Sequence, residues 1–212
     1  LAEGNYADAK AIMKVHGLSH ADCLLLDLGF SSSQLESGRG FSFMKNDPLM
    51  MTYSPHYPPV SEVVNGMREE ELADIIFKYG EERMSRRIAK TIVEARRKHR
   101  IETTGDLAKA IRAALPKSYE RGRINPATRT FQALRVYANH ELEHVERAIK
   151  EIPNIINDGG RAAIITFHSL EDGIVKREFQ TSEKEGKAIR ITKKPIVPTK
   201  EDSMDLLTLE KN

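Results

Sequence analysis

The first residues that could carry chemistry follow a short apolar run near the start of the chain. The run Cys23–Leu26 leads directly into Asp27, Gly29 and three consecutive serines. In open sheets of parallel strands, ligands bind at the carboxyl ends of the strands, so we expect Asp27 to lie where a ligand binds. An Asp that caps a helix starting at residues 31–33 explains the pattern equally well, and both interpretations stay open.

A second polar group follows another apolar run, Ala162–Phe167. His168 and Ser169 come directly after it and are therefore expected at the same edge of the sheet. A Ser followed by acids, here Glu171 and Asp172, is also typical of a helix N-terminus. His168 has no second metal ligand at a recognisable spacing, and adjacent loop residues do not by themselves place a base on a nucleophile. The pattern therefore favours a helix start over a metal site or a Ser-His hydrolase site.

Two further motifs allow a binding role without requiring one. Residues 41–44 (FSFM) contain two aromatic rings, which can stack on nucleobases in RNA-binding proteins but more often pack in a core. Residues 125–129 (NPATR) are typical of a loop with a helix cap at Thr128. Neither motif names a function by itself.

Basic residues are concentrated in the middle of the chain, although the net charge is only +2. Residues 83–100 contain eight Lys or Arg and one acid, Glu94, and residues 117–135 contain five more bases and one acid, Glu120. Such a patch can bind a polyanion, because each neutralised phosphate releases counterions. A solvated helix face explains the charges equally well.

The elements that position these groups form a mixed α/β pattern. The two apolar runs predict buried parallel strands of a covered sheet, with a turn at Asp158–Gly160 before the second and a late strand at 188–192. Apolar residues at steps of three and four over 130–152 predict one long amphipathic helix that leads into the second strand.

The region between residues 60 and 122 has helical periodicity and no convincing strand, which predicts an inserted helical subdomain. Prolines at 55–59 and the loop at 121–126 delimit it. Thr103 and Asp106 have the spacing of a helix start within it.

Composition restricts the class of protein. The chain has 212 residues, of which 40% are hydrophobic and 30% charged, as expected for one large domain or two small ones. No apolar run approaches the length of about 20 residues that a membrane-spanning helix needs. Cys23 is the single cysteine, so a disulfide framework and a Cys-based zinc site are excluded and a reducing cytoplasmic setting is expected. The start at Leu1 leads us to expect an internal piece of a longer protein.

Four blocks together resemble one family. They are LLDLGFSSSQL (25–35), RGFSF (39–43), INPATRTFQALR (124–135) and FHSLED (167–172). The blocks are similar to those of the bacterial ribosomal RNA small subunit methyltransferase H family. The resemblance implies a Rossmann-like class I methyltransferase domain at 1–59 and 123–212, interrupted by a helical substrate-recognition subdomain at 60–122.

The resemblance also implies an activity, namely S-adenosylmethionine-dependent methylation of the N4 amine of a cytosine in the decoding region of 16S ribosomal RNA. The partner would be 16S ribosomal RNA or the small ribosomal subunit, with no membrane partner; the oligomeric state is open, with a homodimer as one option. Alternatives are a non-catalytic RNA-binding or ribosome-assembly module and an amino-methyltransferase on another nucleic acid. Against a DNA enzyme, the loop after Asp27 lacks an Asp-Pro-Pro-Tyr sequence, and without Gly-x-Gly-x-x-Gly a dehydrogenase is least favoured.

Site residues transfer from the family by position. Tyr6, Asp27 and Gln34 would bind the cofactor, with Tyr6 in place of the family's usual Phe. The first role of Asp27 would be to bind the cofactor, and its second role would be catalytic. Ser31 and Ser32 would face the target amine. The hypothesis for RNA contacts comprises Arg86, Arg87, Arg96, Arg97, Arg123, Asn125, Arg129 and His168.

Three departures from the family pattern affect this transfer. In the family a basic Asn-Pro-Arg-Ser segment follows the matched residues, so we expect the extreme C-terminus of the family to be missing here. The Gly-rich cofactor loop and the ribose-binding acid precede the matched residues in the family, so we expect this chain to hold about half of the cofactor pocket. Whether the chain at this length is active stays open. Met50 and Thr52 replace an acid and an arginine of the family, and the role of those two charges does not transfer.

Overall fold

The computed structural model of the chain describes residues 1–116, 119, 125 and 127–197. These residues form a mixed α/β structure with a two-stranded sheet. In chain order the elements are a short 3₁₀ helix Tyr6–Asp8, α1 Ala9–Val15, β1 Ala21–Asp27, α2 Ser32–Glu36, α3 Val60–Gly66, α4 Glu69–Gly80, α5 Ser85–Lys98, α6 Thr104–Ala114, α7 Thr128–Ala138, α8 Glu141–Ile155, β2 Ile156–Ile165 and α9 Ser169–Lys184. No helix among the described residues has the length and apolar character to cross a membrane.

The two strands are parallel, as predicted, and Asp27 pairs with Ile165 at their carboxyl ends. The turn predicted at Asp158–Gly160 is wrong, because these residues belong to an irregular part of β2. Between the pairs Ala21–Ile156 and Cys23–Arg161, β1 has one residue and β2 has four, and Gly159 adopts a φ of +80°, which glycine tolerates without a steric cost. The strand therefore starts earlier than predicted.

One face of this sheet is covered and the other is open in the described structure. Leu24 and Leu26 face α8 and join a core cluster with residues of α8 and α9. Leu25 is 65% exposed and Cys23 is also exposed, because helices pack on the opposite face. The prediction of strands buried on both faces is therefore wrong for the described residues. The late strand predicted at 188–192 is also wrong, since these residues are irregular.

Helices α3 to α7 form a second and larger hydrophobic core, as the periodicity predicted for most of this region. Helix α5 shows the reason: Ile88, Ala89 and Ile92 are fully buried on one face while its arginines occupy the other. The predicted start of α6 is confirmed, because Thr103 and Asp106 form a reciprocal capping box. The division at 59 and 122 remains a prediction.

The helix predicted over 130–152 is two helices. Helix α7 ends at Ala138, and α8 begins at Glu141 after His140, whose φ of 52° lies in the left-handed region. Asn139 holds this break: its side chain donates to the carbonyl oxygens of Met51 and Arg135 at 2.8 and 2.9 Å. Local periodicity cannot show the break, because a contact 88 residues away stabilises it.

Candidate active site

The two polar groups singled out by the sequence lie at one edge of the sheet. Asp27 ends β1 with an exposed side chain, and His168 lies three residues beyond Ile165 at the end of β2. Between them the loop backbone passes close to Phe167, since a Cβ on Gly29 would lie 3.3 Å from that ring. The expected placement of Asp27 at the carboxyl edge is confirmed.

The loop after Asp27 is held by its own helix cap. Ser31 is the N-cap of α2: its Oγ accepts the Gln34 N–H at 3.4 Å, and Gln34 Oε1 accepts the Ser31 N–H at 2.8 Å. Ser31 caps α2, so the interpretation of Asp27 as the helix cap is wrong. The Gln34 amide nitrogen and the Ser32 hydroxyl have no hydrogen-bond partner among the described residues, whereas Ser31 Oγ also contacts Ser33 Oγ at 2.8 Å. The cap thus leaves polar groups of the loop free to bind a ligand.

Three stacked aromatic rings, those of Phe30, Phe41 and Tyr53, pack next to this loop. Phe30 lies over the guanidinium of Arg135, 4.5 Å from ring centroid to Cζ, and its ring stacks on Phe41 at 6.2 Å. Phe41 stacks in turn on Tyr53 at 5.3 Å. Phe41 is 7% exposed, so the packing interpretation of this aromatic residue is confirmed. Cation–π and stacked contacts have preferred distances and angles, so they restrict the position and orientation of Phe30 and of the loop that carries it.

Beneath the stack lies a buried ion pair. Arg135 donates two hydrogen bonds to Glu141, at 2.9 and 3.0 Å, and both side chains are 9% exposed. The Tyr53 hydroxyl donates to the same carboxylate at 3.2 Å. Burial alone would lower the pKa of Arg135, but Glu141 raises it above its ordinary value, so the guanidinium stays charged. Burial, reinforced by Glu141, raises the pKa of Tyr53 and keeps its hydroxyl protonated.

Tyr6 and Glu171 extend the cluster. Burial and the charges of Glu141 and Glu171 raise the pKa of Tyr6, whose ring is 36% exposed. Glu171 accepts the Phe167 N–H at 2.9 Å. Burial would raise the pKa of Glu171, but the imidazole of His168 and this N–H lower it below its ordinary value. The Glu171 carboxylate therefore stays charged and fixes the loop after β2.

His168 has an identifiable structural role. It is the N-cap of α9, its Nδ1 accepts the Glu171 N–H at 3.4 Å, and its side chain is 14% exposed. The favoured interpretation of this motif as a helix start is confirmed. Within the described part of the chain, no group of three or more His, Cys, Asp or Glu side chains could hold a metal ion.

Comparison with protein families matches residues 1–205 to the MraW methylase family. The chain belongs to this family. It is 47% identical over 204 residues to Ribosomal RNA small subunit methyltransferase H of Coprothermobacter proteolyticus, covering 95% of this chain and 67% of that protein. The proteins of the same name from Paramagnetospirillum magneticum and Deinococcus radiodurans are 46% identical over 177 residues and 45% over 204, covering 83% and 96% of this chain. The chain spans 55% and 64% of their lengths.

In this member of the methylase family, the arginines predicted to contact RNA on α5 differ in their surroundings. Arg86 and Arg87 are exposed in the first turn, and Arg97 is exposed in the last. Arg96 is half-buried and donates to the carbonyl oxygen of Val64 at 2.7 Å, so part of its guanidinium is already bound. Three of the four are therefore free to meet a polyanion.

The other predicted RNA contacts flank the start of α7. Asn125 is exposed, and its side chain accepts the Ala127 N–H at 3.0 Å. Arg129 is exposed and donates to the carbonyl oxygen of Glu81 at 3.5 Å. Arg123 lies outside the described residues. The contacts of these residues with RNA remain predictions.

Residues that the sequence did not single out make up most of the cluster below the loop. The sequence patterns identify Arg135 as a base of a charged region and as the last residue of a family block, and they assign no role to Glu141 or Tyr53. Residues six apart lie on different faces of a continuous helix, so Arg135 and Glu141 gave no pairing signal. Their place within and just after a specific family block was the available indication.

Proposed function

We propose that this protein transfers a methyl group from S-adenosylmethionine to the N4 amine of a cytosine in the decoding region of 16S ribosomal RNA. The substrate would be the RNA or the small subunit, in the cytoplasm. The observation that carries the proposal is the exposed Asp27 carboxylate at the carboxyl edge of a parallel sheet, in a chain matched over residues 1–205 by a methylase family. The names of the relatives support the choice of ribosomal RNA.

We further propose a division of labour between two parts of the chain. The sheet with α8 and α9 would be the Rossmann-like catalytic part, at residues 1–59 and 123–212, and residues 60–122 would be an insert that holds RNA. The exposed arginines of α5 lie on the larger, all-helical core, while Leu26 and Leu28 beside the loop belong to the smaller one. Helix α7 of the catalytic part packs with the insert in the larger core, so the two parts share that core.

The residues assigned to the cofactor fit its chemistry. The half-exposed ring of Tyr6 offers a surface for adenine, and the exposed Asp27 carboxylate can accept hydrogen bonds from a hydroxyl or an ammonium group. The Gln34 amide keeps its donors free for a carboxylate, since its oxygen is used in the cap. S-adenosylmethionine supplies the methyl group when bound.

The loop would act mainly by positioning. The exocyclic amine of cytosine is a poor nucleophile because its lone pair is delocalised into the ring, so alignment provides much of the rate. The target base must leave its stack to reach the loop, which costs least in single-stranded or loosely paired RNA. Asp27 would bind the cofactor first and accept a proton second, with the hydroxyls of Ser31 and Ser32 beside the amine.

The test is transfer of labelled methyl groups to small subunits and to naked 16S RNA, by the protein at the length that its gene encodes. Asp27→Asn should lower kcat/KM by about 100-fold or more. Asp22→Asn is the matched control, because Asp22 is an exposed acid at the opposite end of β1 whose Oδ1 accepts from Asn157 at 2.8 Å.

Each outcome decides a different point. Full activity of Asp27→Asn would remove Asp27 from the site. RNA binding without transfer by the unaltered protein would favour a ribosome-assembly module. Transfer to DNA or another RNA in preference to 16S RNA would assign a different substrate.

A further inference from the structure

A shallow cavity lies at the corner between α4 and the start of α5, on the helical core. Its volume is about 390 Å³, and it is lined by Asp74, Phe77 and the five residues of 83–87. This size is within the range of small-ligand sites. The cavity brings together an aromatic ring, a carboxylate and three arginines.

Phe77 is the unusual residue of this corner. Its side chain is 60% exposed, whereas Ile75 and Ile76 on the same helix are buried. Asp74 is also exposed and lies three residues earlier, on the same face of α4. An exposed ring beside arginines is the combination on which unpaired nucleobases stack.

The arginines occupy a place where cations are unfavourable. Arg86 and Arg87 lie in the first turn of α5, which contains no acid, so their charges oppose the helix dipole. Met84, the N-cap, provides no side-chain hydrogen bond. The nearby Glu82 carboxylate is buried and turned inward, where it accepts from the Tyr119 hydroxyl at 2.8 Å and from the Met84 N–H at 2.8 Å. A phosphate in the cavity would relieve the unfavourable charge.

These arginines are also unpaired within the described part of the chain. Arg83, Arg86 and Arg87 are exposed, and no ion pair to an acid within 4.0 Å forms at any of them there. Elsewhere on α5, Lys90 lies 4.0 Å from Glu94. The corner therefore carries a local excess of positive charge beside an aromatic surface.

We propose that this corner binds one unpaired nucleotide of RNA, with its base stacked on Phe77 and its phosphate held by Arg83, Arg86 and Arg87. Asp74 would accept a hydrogen bond from an exocyclic amine, which favours cytosine, adenine or guanine over uracil. The proposal rests on the proposed function, since it takes RNA as the substrate, and adds a contact that involves no residue of the Asp27 loop.

The chain contains no tryptophan, so Phe77→Trp places a single fluorescent reporter in the cavity. Its emission should be quenched by oligo(rC), several-fold less strongly by oligo(rU) at equal concentration, and not by inorganic phosphate. Equal quenching by both oligonucleotides in an Asp74→Ala background, which removes the acceptor, would support the role of the carboxylate.

Affinity for RNA provides a second measurement. Phe77→Ala should weaken binding of oligo(rC) about tenfold, and Phe77→Tyr should retain it. The double change Arg86→Ala and Arg87→Ala should lower the salt slope of binding by about one, because both arginines contact the same phosphate. Leu18→Ala is the control, because Leu18 is also an exposed apolar residue, at 57%, and lies outside both cores. Circular dichroism and thermal melting confirm that each variant is folded.

The outcomes separate this site from the proposed function. If the unaltered protein binds RNA and transfers methyl groups but Phe77→Ala binds as tightly as Leu18→Ala, the nucleotide site is refuted and the function stands. If Phe77 variants lose affinity but no methyl transfer occurs, the function is refuted and the site stands. Absence of RNA binding by the unaltered protein overturns both.

Discussion

Replacing Glu141 by Gln should destabilise the protein by about 3–5 kcal/mol, because it leaves the charge of Arg135 buried without a partner. The two hydrogen bonds of the pair measure 2.9 and 3.0 Å, and both side chains are 9% exposed, so solvent screens little of the lost interaction. A domain of this size loses about 2–4 °C in melting temperature per kcal/mol, which gives a decrease of about 6–20 °C.

Urea unfolding at pH 7, followed by far-ultraviolet circular dichroism, measures this difference directly. Glu146→Gln is the matched control: Glu146 pairs with Lys150 at 2.6 Å, but their side chains are 39% and 57% exposed, so its loss should cost less than about 1 kcal/mol. Replacing both members, Arg135→Met with Glu141→Leu, should recover most of the stability. The reasoning is refuted if Glu141→Gln costs no more than Glu146→Gln.

The same double variant separates stability from positioning. In this variant Phe30 would lose its cation–π contact with the Arg135 guanidinium, which lies 4.5 Å from the ring centroid. The apolar side chains of Met and Leu would still fill the space of the ion pair. Since Phe30 is part of the loop that follows Asp27, we expect lower kcat for methyl transfer with restored melting temperature. Restored activity together with restored stability would mean that the ion pair does not position the loop.

Two further predictions concern the fold. Burial raises the pKa of Tyr53, so on raising the pH the unfolded chain loses the tyrosine proton before the folded protein does. The protonated hydroxyl therefore contributes fully to the free energy of unfolding below about pH 10, and above it this contribution falls by up to about 1.4 kcal/mol per pH unit. Tyr53→Phe should remove this part of the alkaline decrease in urea unfolding, and an unchanged slope would contradict it. Gly80→Ala should cost about 1–3 kcal/mol, because a Cβ would overlap the carbonyl oxygen of Arg129. Gly66→Ala, with nothing within 4 Å, should be neutral or stabilising by urea unfolding; equal costs would refute the overlap.

Local signals were enough to predict the edge of the sheet. Each apolar run is short and ends in a polar group, which predicts a strand and its carboxyl end without knowledge of the rest of the chain. The pairing of Asp27 with Ile165 and the capping box of Thr103 and Asp106 confirm such local inferences. The open face of the sheet could not be predicted in this way, because burial depends on which other elements pack there.

The cluster under the loop depends instead on contacts between distant parts of the chain. Arg135 and Glu141 meet only because the helix breaks at Asn139 and His140, where the sequence has neither Gly nor Pro. Tyr53, the third member, lies 88 residues before Glu141. The apolar stripe continues across this break in the sequence, so periodicity predicts one helix and no ion pair.

The side chain of Asn139 connects the break between α7 and α8 to the segment that contains Met51 and Tyr53. Its side-chain oxygen accepts the Tyr53 N–H at 2.7 Å, while its nitrogen donates to Met51 and Arg135, so every hydrogen-bonding group of the amide except one lone pair is used. Met51, which accepts from Asn139, and His140, which follows it in the chain, both have left-handed φ values, 53° and 52°. Such residues cost about 1–3 kcal/mol each, and this strain persists only where surrounding contacts determine it. The strained turn therefore sets the geometry of the ion pair, and through Phe30 that of the loop.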